Sequence, residues 1–104
     1  IGKNTRIQSH SFICQNVKIG NNCFIGHGVN FTNDKFKDNK LIKKNFLTTI
    51  IEDGVLIGSN STILPIKIKK NTTIGAGSVV TKNCKKQEVY AGNPARIIKK
   101  NAKK

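Results

Sequence analysis

Few side chains in this chain can do chemistry, and their types narrow what that chemistry is. His10 and His27 are its two histidines, the side chains whose ordinary pKa lies nearest neutrality. Two histidines cannot supply a three-histidine zinc site, and Cys14, Cys23 and Cys84 match no metal-ligand spacing, so no metal site is expected. His27 is followed, within the run IGHGVNFTNDKF, by the amide–carboxylate pair Asn33-Asp34. Downstream, Ser59 follows Gly58, Ala76 follows Gly75, and the cations Lys82 (directly after Thr81) and Arg96 come later still. A histidine can take a proton, an Asn-Asp pair can orient a polar group, and cations suit phosphate. Small residues beside glycines leave backbone open to a long, thin ligand whose amides it can serve.

These residues are far apart in sequence, so the fold must gather them, and one periodicity does so. From Ile51 to Thr81, IEDGVLIGSNSTILPIKIKKNTTIGAGSVVT returns a branched apolar residue at Ile51, Ile57, Ile63, Ile68, Ile74 and Val80. The steps are six residues, shortened once to five before Ile68, beside Pro65. That fits neither the roughly 3.6-residue return of a helix nor the two-residue alternation of a half-buried strand. It fits the hexapeptide repeat of a parallel β-helix, in which each anchor drops into one interior stack. The beat extends back through Ile1, Ile7, Ile13, Ile19, Ile25 and Phe31, with Thr5, Ser11, Val17, Cys23 and Val29 at a second inward position.

The predicted fold is therefore all-β, a solenoid with coils over 1–84, an excursion loop at about 35–49, and a C-terminal turn segment and basic tail over 85–104. Winding three hexads per coil stacks Ser9, His27, Ser59 and Ala76 in one column beside Gly26, Gly58 and Gly75, with neighbouring coils about 4.8 Å apart. A different corner stacks Gln15, Asn33, Pro65 and Lys82. Cys23 falls on an inward position and Cys84 on the equivalent position of the last hexad, so both read as small core residues. His10, one position off the histidine column, reads as structural.

At 104 residues the chain is one domain. It has no Met and its first residue already sits on an anchor, so it reads as part of a longer chain with further coils upstream. No stretch reaches the length of a membrane span, no secretory signal is visible, and the cysteine usage points to a reducing, cytoplasmic setting. The net charge of +14 asks for an anionic partner. Nucleic acid is not expected, because the five phenylalanines and one tyrosine are not interleaved with the lysines as a stacking platform. A small ligand carrying several phosphates profits from the same field.

IGSNSTILP, IGAGSVVTKN and AGNPAR together resemble the C-terminal half of the left-handed β-helix hexapeptide-repeat acetyltransferases, which use acetyl-CoA. The resemblance covers nearly the whole chain. It implies a left-handed coil, an exception to the right-handed crossover rule, and a homotrimer with active sites in clefts between subunits. It implies CoA contacts from Ser59, Ala76, Thr81, Lys82 and Arg96, and the bared backbone at Gly75 joins them. IGHGVNFTNDKF resembles the enzymes that acetylate an amino group on a nucleotide-linked deoxy sugar; the aromatic, Pro and Arg that commonly follow are replaced here by Lys35-Phe36-Lys37-Asp38.

Related O-acetyltransferases carry a catalytic histidine in their loop, and the loop of this chain has none. The chemistry runs the same way. A sugar hydroxyl needs a base to attack a thioester, whereas an amine needs orientation, loss of one proton and a donor for the oxyanion. The resemblance thus implies an N-acetyltransferase acting on an amino-sugar nucleotide. Asn33 would orient the amine, Asp34 would steady Asn33 or the sugar, and His27 of a neighbouring subunit would accept the proton. An O-acetyltransferase and a non-catalytic basic solenoid are the alternatives.

Overall fold

The computed structural model describes residues 1–32 and 48–100, with side chains through residue 98. Over these residues the chain winds as a three-sided prism. The first face holds, in order, β1 (Arg6–Ile7), β3 (Phe24–Ile25), β6 (Leu56–Ile57), β9 (Thr73–Ile74), β11 (Glu88–Gly92) and β12 (Ala95–Lys100). The second holds β4 (Asn30–Phe31), β7 (Thr62–Ile63) and β10 (Val79–Val80), and the third holds β2 (Val17–Ile19), β5 (Thr49–Ile51) and β8 (Lys67–Ile68). The coils pair in parallel, and only the closing β11–β12 hairpin is antiparallel among the described strands.

Each strand is short because each six-residue repeat must also turn a corner. Its last residue is the anchor. Ile25, Ile57 and Ile74 stack on the first face, Phe31, Ile63 and Val80 on the second, and Ile19, Ile51 and Ile68 on the third, all buried. Fully burying such a side chain is worth roughly 1.5–3 kcal/mol, so the stacks hold the prism together. The other inward position takes small residues, and one such column runs Cys23, Val55, Thr72.

The corners need a left-handed residue once per turn. Asn4, Asn22, Gly54, Asn71 and Gln87 fill that place along one edge, and His10, Gly28, Asn60 and Gly77 along the next, all with φ between 57° and 72°. Asn and Gly tolerate that conformation best. His10 is one of these turn residues, in keeping with its structural reading.

Two sequence expectations shift. Cys84 does not share the column of Cys23; it bridges to Ile68 and so occupies an anchor place, the step from Val80 being four residues instead of six. The stacking also runs on past residue 84, where the six-residue register fades. β11 pairs in parallel with β9, and Tyr90 lies over Ile74, 7% exposed. Of the expected loop at about 35–49, Thr49 already belongs to β5, paired with Val17 and buried, and residues 35–47 lie outside the described residues.

Candidate functional site

The corner between the first and second faces gathers most of the predicted residues. With Ile25, Ile57 and Ile74 in register, Gly26, Gly58 and Gly75 stack next, and then His27, Ser59 and Ala76. The backbone confirms this order: the Asn60 N–H donates to the His27 carbonyl at 2.8 Å, and the Gly77 N–H to the Ser59 carbonyl at 2.9 Å.

The glycines are there for a reason the sequence did not show. A Cβ on Gly26 would lie 2.7 Å from the Ser59 nitrogen, and one on Gly58 would lie 2.5 Å from the Ala76 nitrogen. Both glycines let successive coils close on each other. Gly26 is buried, so the backbone open to a ligand narrows to Gly58, Gly75 and the small residues after them.

At three corner positions the N–H of the residue two past the anchor is capped by the side chain stacked on it from the next coil. Lys3 donates to Asn21 Oδ1 at 2.7 Å, Asn21 to Asp53 Oδ1 at 2.8 Å, and His27 to Ser59 Oγ at 3.0 Å. The residue stacked on Ser59 is Ala76, which has no acceptor to offer. Among the described residues neither the Ser59 nor the Ala76 N–H finds a partner. Two backbone donors, one coil apart and beside bare glycine backbone, are left for water or for a ligand's carbonyl groups.

The closing hairpin adds a cation to the same row. Ala91 follows Tyr90 and so lies over Gly75, whose added Cβ would meet the Ala91 Cβ at 3.1 Å. Arg96 is Ala91's partner across the hairpin, exposed, and free of any ion pair with the described acids. The row thus reads Gly26, Gly58, Gly75, Ala91, Arg96. One residue that sequence reasoning missed holds the hairpin in place. Ser78 is fully buried, and its Oγ donates to the Gly75 carbonyl at 2.7 Å and accepts from the Gly92 N–H at 3.1 Å. Its small polar side chain at an inward place was the available signal.

Thr81 and Lys82 follow β10 and sit at the next corner, between the second and third faces, with Lys82 exposed. One chain therefore does not place them beside Ser59 and Ala76. Asn33 and Asp34 lie outside the described residues.

Cys14 and Cys84 are unsuited to nucleophilic chemistry. Burial, reinforced by the charge of Glu88, pushes the Cys84 thiol up to about 12, and burial raises that of Cys14. A thiol kept protonated is a poor nucleophile. No group of three or more His, Cys, Asp or Glu among the described residues could hold a metal ion.

Comparison with known proteins agrees with this geometry. Residues 1–33 match the bacterial transferase hexapeptide (six repeats), and residues 48–82 match the hexapeptide repeat of succinyl-transferase. The chain is 37% identical over 102 residues to the bifunctional protein GlmU of Thermosipho africanus, a match covering 97% of this chain and 21% of that one. It therefore spans about a fifth of the length of the curated relatives it matches first. Among solved structures, the polySia-specific acetyltransferase NeuO superimposes with a TM-score of 0.84 at 30% identity, covering 96% of this chain and 50% of that one. A maltose O-acetyltransferase from Clostridium difficile 630 does so with a TM-score of 0.84 at 33% identity, covering 95% and 57%. Repeat, register and likeness converge: the chain is built of the hexapeptide repeats found in bacterial transferases, wound as a left-handed parallel β-helix.

Proposed function

We propose that this chain is an acetyl-CoA-dependent acetyltransferase that acts on the amino group of a nucleotide-linked deoxy amino sugar, as a homotrimer with its active sites between subunits. The observation that carries the donor side is the pair of unpartnered N–H groups at Ser59 and Ala76. The pantetheine arm of CoA is thin and bears amide carbonyls, so it suits two backbone donors one coil apart beside Gly58 and Gly75. Arg96 ends that row and suits a phosphate. Thr81 and Lys82, at another corner, reach the same ligand only from a neighbouring subunit, which is what makes the trimer part of the reading.

The transfer itself is a direct attack. The neutral amine forms a C–N bond to the acetyl carbon, the C–S bond breaks, and CoA leaves as the thiolate, which takes up a proton. The amine gives up one proton after or during attack. His27 is exposed at the corner, its backbone held by Ser59 Oγ and by Asn60, so its imidazole is free to accept that proton. Asn33 orients the amine, and Asp34 steadies Asn33 or the sugar. Burial keeps the Cys84 thiol from serving as an acyl-accepting thiolate.

A second reading is O-acetylation of a sugar hydroxyl, favoured by the likeness to the maltose O-acetyltransferase. Coupled release of CoA thiol, measured with an amino-sugar nucleotide and with a neutral sugar, separates the two. Turnover on the hydroxyl substrate alone overturns the amine reading. Wild-type turnover in both His27→Ala and Asn33→Ala would remove the assigned roles. Calorimetry showing no heat with CoA would sink the donor site and leave a non-catalytic solenoid.

A further inference from the structure

We infer a second anion site on the corner between the third and first faces, which takes a linear phosphate polymer by charge alone. With Ile51, Ile68 and Cys84 in register, the residues after them stack: Glu52, Lys69 and Lys85 in one column, Asp53, Lys70 and Lys86 in the next. The Lys69 N–H donates to the Cys84 carbonyl and the Gln87 N–H to the Lys70 carbonyl, which fixes that order. Four exposed lysines thus form a two-by-two array on one convex edge, each pair one coil apart.

Nothing in the fold asks for lysine there. Lower on the same edge the equivalent places serve the backbone, where Asn21 caps Lys3 and Asp53 caps Asn21. At Lys70 that ladder of acceptors is broken, and a cation stands where the acceptor would be. Like charges stacked directly across neighbouring strands repel.

The nearby carboxylates relieve this only at the lower rim. Asp53 Oδ1 is engaged with the Asn21 N–H, on the side away from the lysines. Glu52 accepts from the Lys70 N–H at 3.0 Å and lies 3.6 Å from Lys67 Nζ. Glu88 is taken by the Tyr90 hydroxyl at 3.4 Å. The upper pair, Lys85 and Lys86, has only lysines stacked beneath it.

The chemistry points to phosphate. The array holds only lysines, and a lysine ammonium binds phosphate as a point charge. No aromatic residue stands in these columns to stack a base, so the chain of charges is read without sequence.

The test uses inorganic polyphosphate as the probe, titrated into the whole chain at several salt concentrations. The parent should bind saturably. Lys85→Ala/Lys86→Ala should weaken binding more than tenfold at low salt and flatten the salt slope by about 1.4, from two lost contacts at about 0.7 each. The control Arg6→Ala/Lys18→Ala removes the same charge from the outer faces of β1 and β2 and should stay within twofold. Equal losses in the two double variants would mean that the net charge of the chain, and not this corner, does the binding, and would overturn the inference. So would the absence of saturable binding by the parent. Neither outcome touches the acetyl-CoA reading, whose kinetics should be the same in both variants.

Discussion

The substitution Ala76→Ser tests the donor site most directly, because it should move stability and affinity in opposite directions. The serine would stack on Ser59 as Ser59 stacks on His27, where the Oγ lies 3.0 Å from the N–H it caps. It would therefore cap the Ser59 N–H that is now unpartnered. A neutral hydrogen bond contributes about 0.5–1.5 kcal/mol net, and the low end applies because Ala76 is exposed and water now serves that donor. About 0.5–1 kcal/mol raises Tm by roughly 3–6 °C in a domain of this size. The same cap takes the donor away from acetyl-CoA. Losing one such bond, about 1 kcal/mol, should raise the KM for acetyl-CoA about fivefold with kcat nearly unchanged, since the contact is made equally in ground and transition states. Ala76→Val fills similar space without a lone pair and should weaken binding with no gain in Tm. An Ala76→Ser chain that melts higher while its KM stays within twofold of the parent would refute a donor role for the Ser59 N–H, and an unchanged Tm would show that the serine does not cap it.

Other consequences are as definite. Ser78→Ala leaves the Gly92 N–H without its acceptor, so the chain should lose about 1–2 kcal/mol in denaturant melts and the Gly92 amide should exchange faster; an unchanged exchange rate would show that Ser78 is not the latch. Gly58→Ala puts a Cβ 2.5 Å from the Ala76 backbone, which must shift, so a loss of at least about 2 kcal/mol is expected, and parental stability would contradict the close approach of the coils. The Cys84 thiol gives a pH signature. Its folded pKa, about 12, lies above the unfolded value of 9.0, so the unfolded chain releases its proton first. Stability from this group is complete below pH 9 and falls between pH 9 and 12, by about 1.4 kcal/mol per pH unit. Cys84→Ser should flatten the fall between pH 9 and 10, and an equal slope in parent and variant would refute the assignment.

The prism was legible in the sequence because its inner surface tolerates few residue types. Every anchor from Ile7 to Val80 had to be branched or aromatic, and the interval between anchors had to leave room for a corner, so the period carried the fold by itself. It stopped being legible where the corner shortened. The four-residue step to Cys84 shows no branched residue at the expected place, and Tyr90, which continues the Ile74 stack, follows a segment with no beat at all. The candidate site divides along the same line. That His27, Ser59 and Ala76 share a column follows from counting hexads. That the Ser59 N–H is left over does not, because it depends on what the next coil lacks and on which atoms the coils bring within reach.

Two breaks in the capping ladder, at Ala76 and at Lys70, show why that difference matters. At Ala76 and at Lys70 the chain gives up an acceptor that the corner uses elsewhere, and in each case the side chain put in its place does nothing for the coil. A methyl group at Ala76 keeps the edge thin and leaves the Ser59 N–H open. An ammonium at Lys70 adds to a cluster already short of counter-charge. Local propensity explains neither choice, since a small polar residue would satisfy the backbone at both places and suit the turn as well. A repeat protein makes such departures visible, because its own neighbouring coils supply the expectation against which each departure is measured. Ala76 and Lys70 are therefore places where a demand from outside the fold is readable, one for an amide-bearing ligand and one for a polyanion.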